Sequence, residues 1–167
     1  GTDDHAYGFA PGTSERAEAA VFGEVINWQI DTVKKMLPPG REAIFHFTLY
    51  TEMLDRSLTA HDAFALTEDV IIVWPDDNDG LMRALPRETG KWKHGVYYHL
   101  AYFGGEKSKQ VTHIVSPYRI IAELNKIIQA KATELLLVNV SEMRAHVMED
   151  RLIAEFSWNG IRSDATR

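Results

Sequence analysis

The chain has 167 residues, 45% hydrophobic and 25% charged, with a formal net charge of −6 and no cysteine. That length and balance fit one ordinary globular domain and exclude a disordered or low-complexity chain. The negative charge argues against a broad nucleic-acid or anionic-membrane face, and the lack of cysteine excludes disulfides and thiolate metal sites.

The opening GTDDHAYGFAPGT lacks the basic start and apolar core of a signal peptide. No stretch approaches the roughly 20 apolar residues of a membrane span, so the chain reads as a soluble domain. The first element is a helix within PGTSERAEAAVFGEVINWQIDTVKKMLPPG. Thr13 or Ser14 supplies its N-cap, Val21, Val25, Trp28 and Thr32 recur at helical spacing, and Pro38-Pro39-Gly40 stops it. EAIFHFTLY reads as a short strand, and TEMLDRSL as a helical turn or two. DVIIVW is apolar on both faces, as a strand inside a parallel sheet must be. GVYYHLAYF is a third strand, followed by a loop holding Gly104-Gly105 and EKSKQ. Ser116-Pro117 then offers an N-cap with proline at the first helical position, and Ile120, Leu124, Ile127 and Ile128 form one apolar stripe. ATELLLVNV returns as a fourth strand, and EDRLIAEFSW closes as a helix.

Strands alternating with helices predict an α/β domain with a parallel sheet, and no internal repeat or linker divides residues 1–167. Two architectures fit, a part of an eight-stranded (β/α) barrel of the TIM type or an open doubly wound sheet. In both, chemistry sits beyond the carboxyl ends of the strands. Four such ends carry polar groups here: Tyr50 and Glu52 after the first, Asp76, Asp77 and Asn78 after the second, His99 and Tyr102 on the third, Asn139, Ser141 and Glu142 on the fourth.

Simpler readings stand beside this one. Asp76 to Gly80 has the composition of a turn or a helix cap. It also imitates the start of a calcium loop, but Leu81 and Arg87 occupy the positions where such a loop needs Gly and Glu. The seven histidines form no HExxH or other close pair, so no metal is expected. His46 and His99 sit inside strands, where core roles are common. Gly104-Gly105 lacks the glycines and lysine of a phosphate loop, and Tyr97, Tyr98 and Tyr102 suit packing.

VIIVWPDDNDGLMRALP, GVYYHLAYFGG and LLLVNVSEM, in this order and spacing, resemble the catalytic core of glycoside hydrolase family 115, the xylan α-glucuronidases. The resemblance runs from about Val25 to Trp158. It implies a multidomain enzyme, of which this chain is part of the catalytic (β/α) barrel, working outside the cell or in the periplasm. The implied partners are a uronic-acid-bearing oligosaccharide or polysaccharide and the remaining domains of a longer chain or a second copy, with no nucleic acid and no membrane.

The implied reaction removes glucuronic acid or its 4-O-methyl form from xylan side chains with inversion, and needs no cofactor. Inversion uses one protonated carboxyl on the leaving oxygen and one carboxylate on water, about 6.5–9.5 Å apart. By resemblance, Asp77 or Asp76 supplies one carboxyl and Glu142 the other, while Asn78, His99 and Asn139 hold sugar hydroxyls. Arg83, His99 or Tyr98 would meet the uronate, and Trp74 and Glu52 complete the binding set. Two departures stand out. Family members carry Gly-Asp or His-Asp and then a Lys-Pro pair after the last Asn-Val, where this chain reads SEMRA; the extra methylene of Glu142 moves a carboxylate by roughly an ångström, worth about 10²-fold in rate. The loop after the third strand lacks the family's aromatic residues, reading SKQVTHI. A catalytically silent homologue that only holds sugar is the alternative.

Overall fold

The computed structural model describes residues 8–50, 53–54, 64–67, 70–87, 90–104 and 107–160. Among them, in chain order, lie α1 (Glu15–Met36), β1 (His46–Thr48), β2 (Ile71–Pro75), β3 (Lys93–His99), β4 (Tyr102–Gly104), β5 (Lys107–Lys109), α2 (Pro117–Gln129), β6 (Leu136–Asn139) and α3 (Val147–Asn159). The fold is α/β. Its main sheet has the order β1-β2-β3-β6, with β1 parallel to β2 and β3 parallel to β6. No barrel closure occurs among the described residues, where β1 and β6 are the sheet's edges. Two compact units divide the chain, Gly1–Val73 with Gly90–Lys93, and Trp74–Thr89 with His94–Arg167.

In the first unit, Ser14 caps α1 by accepting from the Ala17 N–H at 3.3 Å. Glu15 and Glu18 in the first turn and Lys34 and Lys35 in the last complement the helix dipole. The residue before a proline is pushed out of helical geometry, and Leu37 accordingly ends the helix at φ −73°, ψ 141°. The buried face is Ala19, Phe22, Gly23 and Ile30, whereas Val21, Val25 and Trp28 of the apolar stripe are exposed. The inner face is chosen by fit. A Cβ on Gly23 would lie 1.8 Å from the Phe64 carbonyl oxygen, and Asn27 donates to the Ala65 carbonyl at 3.1 Å and accepts from the Thr67 N–H at 3.0 Å. Glycine and asparagine make that contact without reading as a hydrophobic stripe. β1 is shorter than its apolar run and pairs His46, Phe47 and Thr48 with Ile71, Ile72 and Val73. Of the helical turn after β1, Met53 and Leu54 are helical and the remainder lies outside the described residues.

β2 is buried at all five positions, as its two-faced apolar sequence requires. Its connection to β3 carries no helix among the described residues, a difference from simple strand–helix alternation. In the second unit, Ser116 caps α2 by accepting from the Arg119 N–H at 3.3 Å, with Pro117 opening the helix. Ile120, Leu124 and Ile127 are buried, each such side chain contributing about 1.5–3 kcal/mol on leaving water. The expected third strand GVYYHLAYF breaks after His99, and its last residues with the expected loop form β4 and β5, an antiparallel ribbon with Tyr102 opposite Lys109 and Phe103 opposite Ser108. KSK has no apolar alternation, so its pairing is invisible to pattern. No helix among the described residues is long and apolar enough to cross a membrane.

Candidate active site

Three strand ends in the second unit stand in step. The Asp76 N–H, just past β2, donates to the Tyr97 carbonyl of β3 at 3.1 Å, and His99 at the end of β3 pairs in register with Asn139 at the end of β6. Asp76, His99 and Asn139 therefore emerge at one level.

Asp76 is 1% exposed and its carboxylate is fully engaged. Oδ2 accepts from the His99 backbone N–H at 2.8 Å, while Oδ1 accepts from the Asn78 N–H at 3.0 Å and lies 2.6 Å from His99 Nδ1. A carboxylate and a ring nitrogen that close must share a proton, so the His99 ring is held to Asp76 through Nδ1 and presents Nε2 on its other side. Tyr97 packs on the imidazole at a centroid distance of 4.4 Å and Tyr102 meets it edge-on at 5.7 Å. Tyr97 also accepts from the Asn139 amide at 3.2 Å.

Asp77 has a different task. Its Oδ1 accepts from the Asp79 N–H at 2.9 Å and the Leu81 N–H at 3.0 Å, closing a tight loop. The residue is half-buried, and Oδ2 has no hydrogen-bond partner among the described residues. Asn78 takes φ +67°, a left-handed value that asparagine tolerates. Gly80 takes φ +81°, and a Cβ there would lie 2.6 Å from Val115 Cγ1. Asp79 receives Lys107 and Lys109 from the β5 strand, and Arg119 donates to its carbonyl at 3.1 Å. The loop's far end is held by Glu123 of α2, a buried carboxylate that accepts from the Met82 N–H at 3.0 Å and pairs with Lys126 at 2.6 Å.

The other residues singled out in the sequence fall in several places. Tyr98 is fully buried and donates its hydroxyl to the Gly80 carbonyl at 2.9 Å, so it supports the loop from beneath. Burial, then the negative charges of Asp76 and Glu123, push its pKa above the ordinary tyrosine value. Trp74 is buried and donates Nε1 to His94 Nδ1 at 3.1 Å, a core contact. Arg83 is exposed, and Glu142 is exposed on the loop after β6, where its N–H donates to the Val140 carbonyl at 2.7 Å. Glu52 lies outside the described residues. Sequence reasoning missed Asp79, Lys107, Lys109, Arg119 and Glu123, whose signal is the loop's own geometry.

A cavity of about 270 Å³ lined by Val96, Leu124, Ile127, Leu136 and Phe156 lies elsewhere in this unit, and its apolar wall does not suit a polar ligand. Among the described residues, the group with donor atoms close enough to hold a metal ion is His113, His146 and Glu149, which shares no residue with the carboxylate loop.

The family model for glycosyl hydrolase family 115 matches residues 1–167. The chain belongs to glycosyl hydrolase family 115. Among solved structures, a family GH115 4-O-methyl-α-glucuronidase with specificity for decorated arabinogalactans is similar, with a TM-score of 0.73 and 24% identity. The match covers 93% of this chain and 21% of that one, so the chain spans about a fifth of its GH115 neighbour. No curated protein sequence matches. The family that the WPDDN, GVYYHL and LLLVNV blocks resemble is thus the family of this chain, and the parallel sheet expected from strand–helix alternation is present, without barrel closure among the described residues.

Proposed function

We propose that this chain is part of the catalytic domain of an inverting α-glucuronidase that releases glucuronic acid, or its 4-O-methyl form, from the side chains of a plant polysaccharide. Asp77 is the observation that carries the reading: a carboxylate fixed through one oxygen, with the other left without a partner, at the end of a buried strand. Asp77 acts as one of the two carboxyl groups, and Glu142 on the loop after β6 as the other. Asp76 has both oxygens engaged and serves as the residue that orients His99. In this reading the ring, with Asn78 and Asn139, holds sugar hydroxyls. Further domains of a longer chain complete the site.

Xylan and arabinogalactan side chains are both substrates to test, the second because the GH115 neighbour is described as specific for decorated arabinogalactans. Release of free uronate by the full-length protein, lost in Asp77→Asn while binding of the same oligosaccharide persists, is the expected result. Unchanged turnover in Asp77→Asn would remove that residue from the chemistry. A reading in which the chain holds sugar without turnover draws on the exposure of Glu142, since a general acid or base gains from a walled site. Binding without release by the folded wild type would favour it.

A further inference from the structure

We infer that His113, His146 and Glu149 form a binding site for a divalent transition metal of the zinc class, which fastens the segment after β5 to the first turn of α3. One ligand atom from each residue lies within 4.8 Å of the others. His146 and Glu149 are three positions apart at the start of α3, so they share a face, and His113 comes to them from the loop before α2.

The hydrogen bonding of His146 leaves one ring nitrogen for a metal. His146 is 1% exposed, and its Nε2 lies 3.1 Å from the Gln110 carbonyl. A carbonyl only accepts, so Nε2 donates to it and Nδ1 is the nitrogen left to meet a metal. Metal-bound histidines are held in this way, with the second nitrogen donating to a carbonyl or carboxylate. Glu149 is 5% exposed, with Oε1 at 2.6 Å from His113 Nδ1 and Oε2 buried without a hydrogen-bond partner among the described residues. An ion pair between His113 and Glu149 accounts for one oxygen and leaves the other unanswered. A cation at this place takes up the second oxygen of Glu149 and Nδ1 of His146 together.

Donor chemistry selects the class of ion. Two imidazoles with one carboxylate suit zinc and its neighbours, whereas magnesium and calcium prefer oxygen alone. With metal–ligand bonds of about 2.0–2.2 Å, two ligands of one tetrahedral ion sit about 3.3 Å apart. Binding therefore displaces the proton between His113 and Glu149 and opens their contact slightly. The His113 side chain is 54% exposed, which leaves a path for entry and a fourth position for water. Asp150, half-buried with its own Oδ2 unpaired, adds negative charge beside the site. The inference is independent of the glycosidase reading.

The test is zinc binding by the full-length protein after chelator treatment, followed by calorimetric titration and by thermal unfolding with zinc or magnesium. Zinc is expected to bind at one ion per chain and raise the unfolding temperature, and magnesium to do neither. His113→Ala, at a half-exposed position, and Glu149→Gln, nearly isosteric, should each weaken zinc binding by at least about tenfold and remove the thermal shift. Wild-type affinity in a folded His113→Ala protein overturns the inference, as does the lack of stoichiometric zinc binding by the wild type.

Discussion

Asp76 grips His99 twice, through the backbone N–H at 2.8 Å and the ring Nδ1 at 2.6 Å. Adjacent carboxylates in the same block thus have separate surroundings, one with both oxygens taken up by the scaffold and one held through a single oxygen among the described residues. Removing one partner of a buried, hydrogen-bonded pair costs about 3–5 kcal/mol, because the other is left without compensation. Asp76→Ala should lower the unfolding free energy by that amount in a denaturant titration. A loss below about 1 kcal/mol would mean that the grip contributes little.

Asp77→Asn should behave in the opposite sense. The amide oxygen can still accept from Asp79 and Leu81, so the loop closes and stability stays within about 0.5 kcal/mol of wild type. Turnover should fall by about 10²–10⁴, the range for loss of a positioned general acid or base. Steady-state uronate release, read beside a denaturation curve, separates this variant from Asp76→Ala.

Gly80→Ala should destabilise by about 2–4 kcal/mol, combining a left-handed residue with overpacking. The cause is local: φ is +81° and the added carbon would meet Val115 Cγ1 at 2.6 Å. Thermal unfolding checks it, and a shift no larger than that of an exposed surface substitution would contradict the packing.

Tyr98 gives the chain a stability term that weakens in alkali. Its pKa is raised in the folded state by burial and by Asp76 and Glu123, so the folded chain keeps the proton that the unfolded chain releases near pH 10. Stability from this group is fully present below the unfolded value and is lost as pH rises beyond it. The slope is about 1.4 kcal/mol per pH unit for one proton. Tyr98→Phe should cost about 1 kcal/mol at neutral pH through the lost bond to Gly80 and should flatten the alkaline decline. Urea titrations between neutral pH and the alkaline range measure both.

Much of the fold was legible because caps and breakers act locally. Ser14, Pro38, Ser116 and Pro117 set helix ends where the chain itself puts them. The all-apolar Ile71 to Trp74 run announced a strand covered on both faces, and the rule that polar groups gather past strand ends located Asp76, His99 and Asn139 together. Other features depend on contacts distant in sequence. Which side of α1 faces inward is decided by the Phe64 carbonyl against Gly23, and the β4–β5 ribbon is held by Lys107 and Lys109 on Asp79. Nor does the sequence divide labour between Asp76 and Asp77, since both are aspartates at the same strand end and only the geometry of His99 distinguishes them. Tyr98 and Trp74 read as ligand-facing because they border the block, whereas their polar atoms are answered inside the core.

The loop from Asp76 to Met82 is anchored at both ends by buried carboxyl chemistry, Asp76 through His99 at its start and Glu123 of α2 at its finish. Holding a backbone residue in one conformation costs about 1–2 kcal/mol of entropy. For these residues the cost falls on folding, so under the proposed function a ligand arriving at Asp77 would meet a surface already ordered. Substitutions at Glu123, on a helix that touches no ligand in this reading, would loosen that surface and weaken binding from the far side.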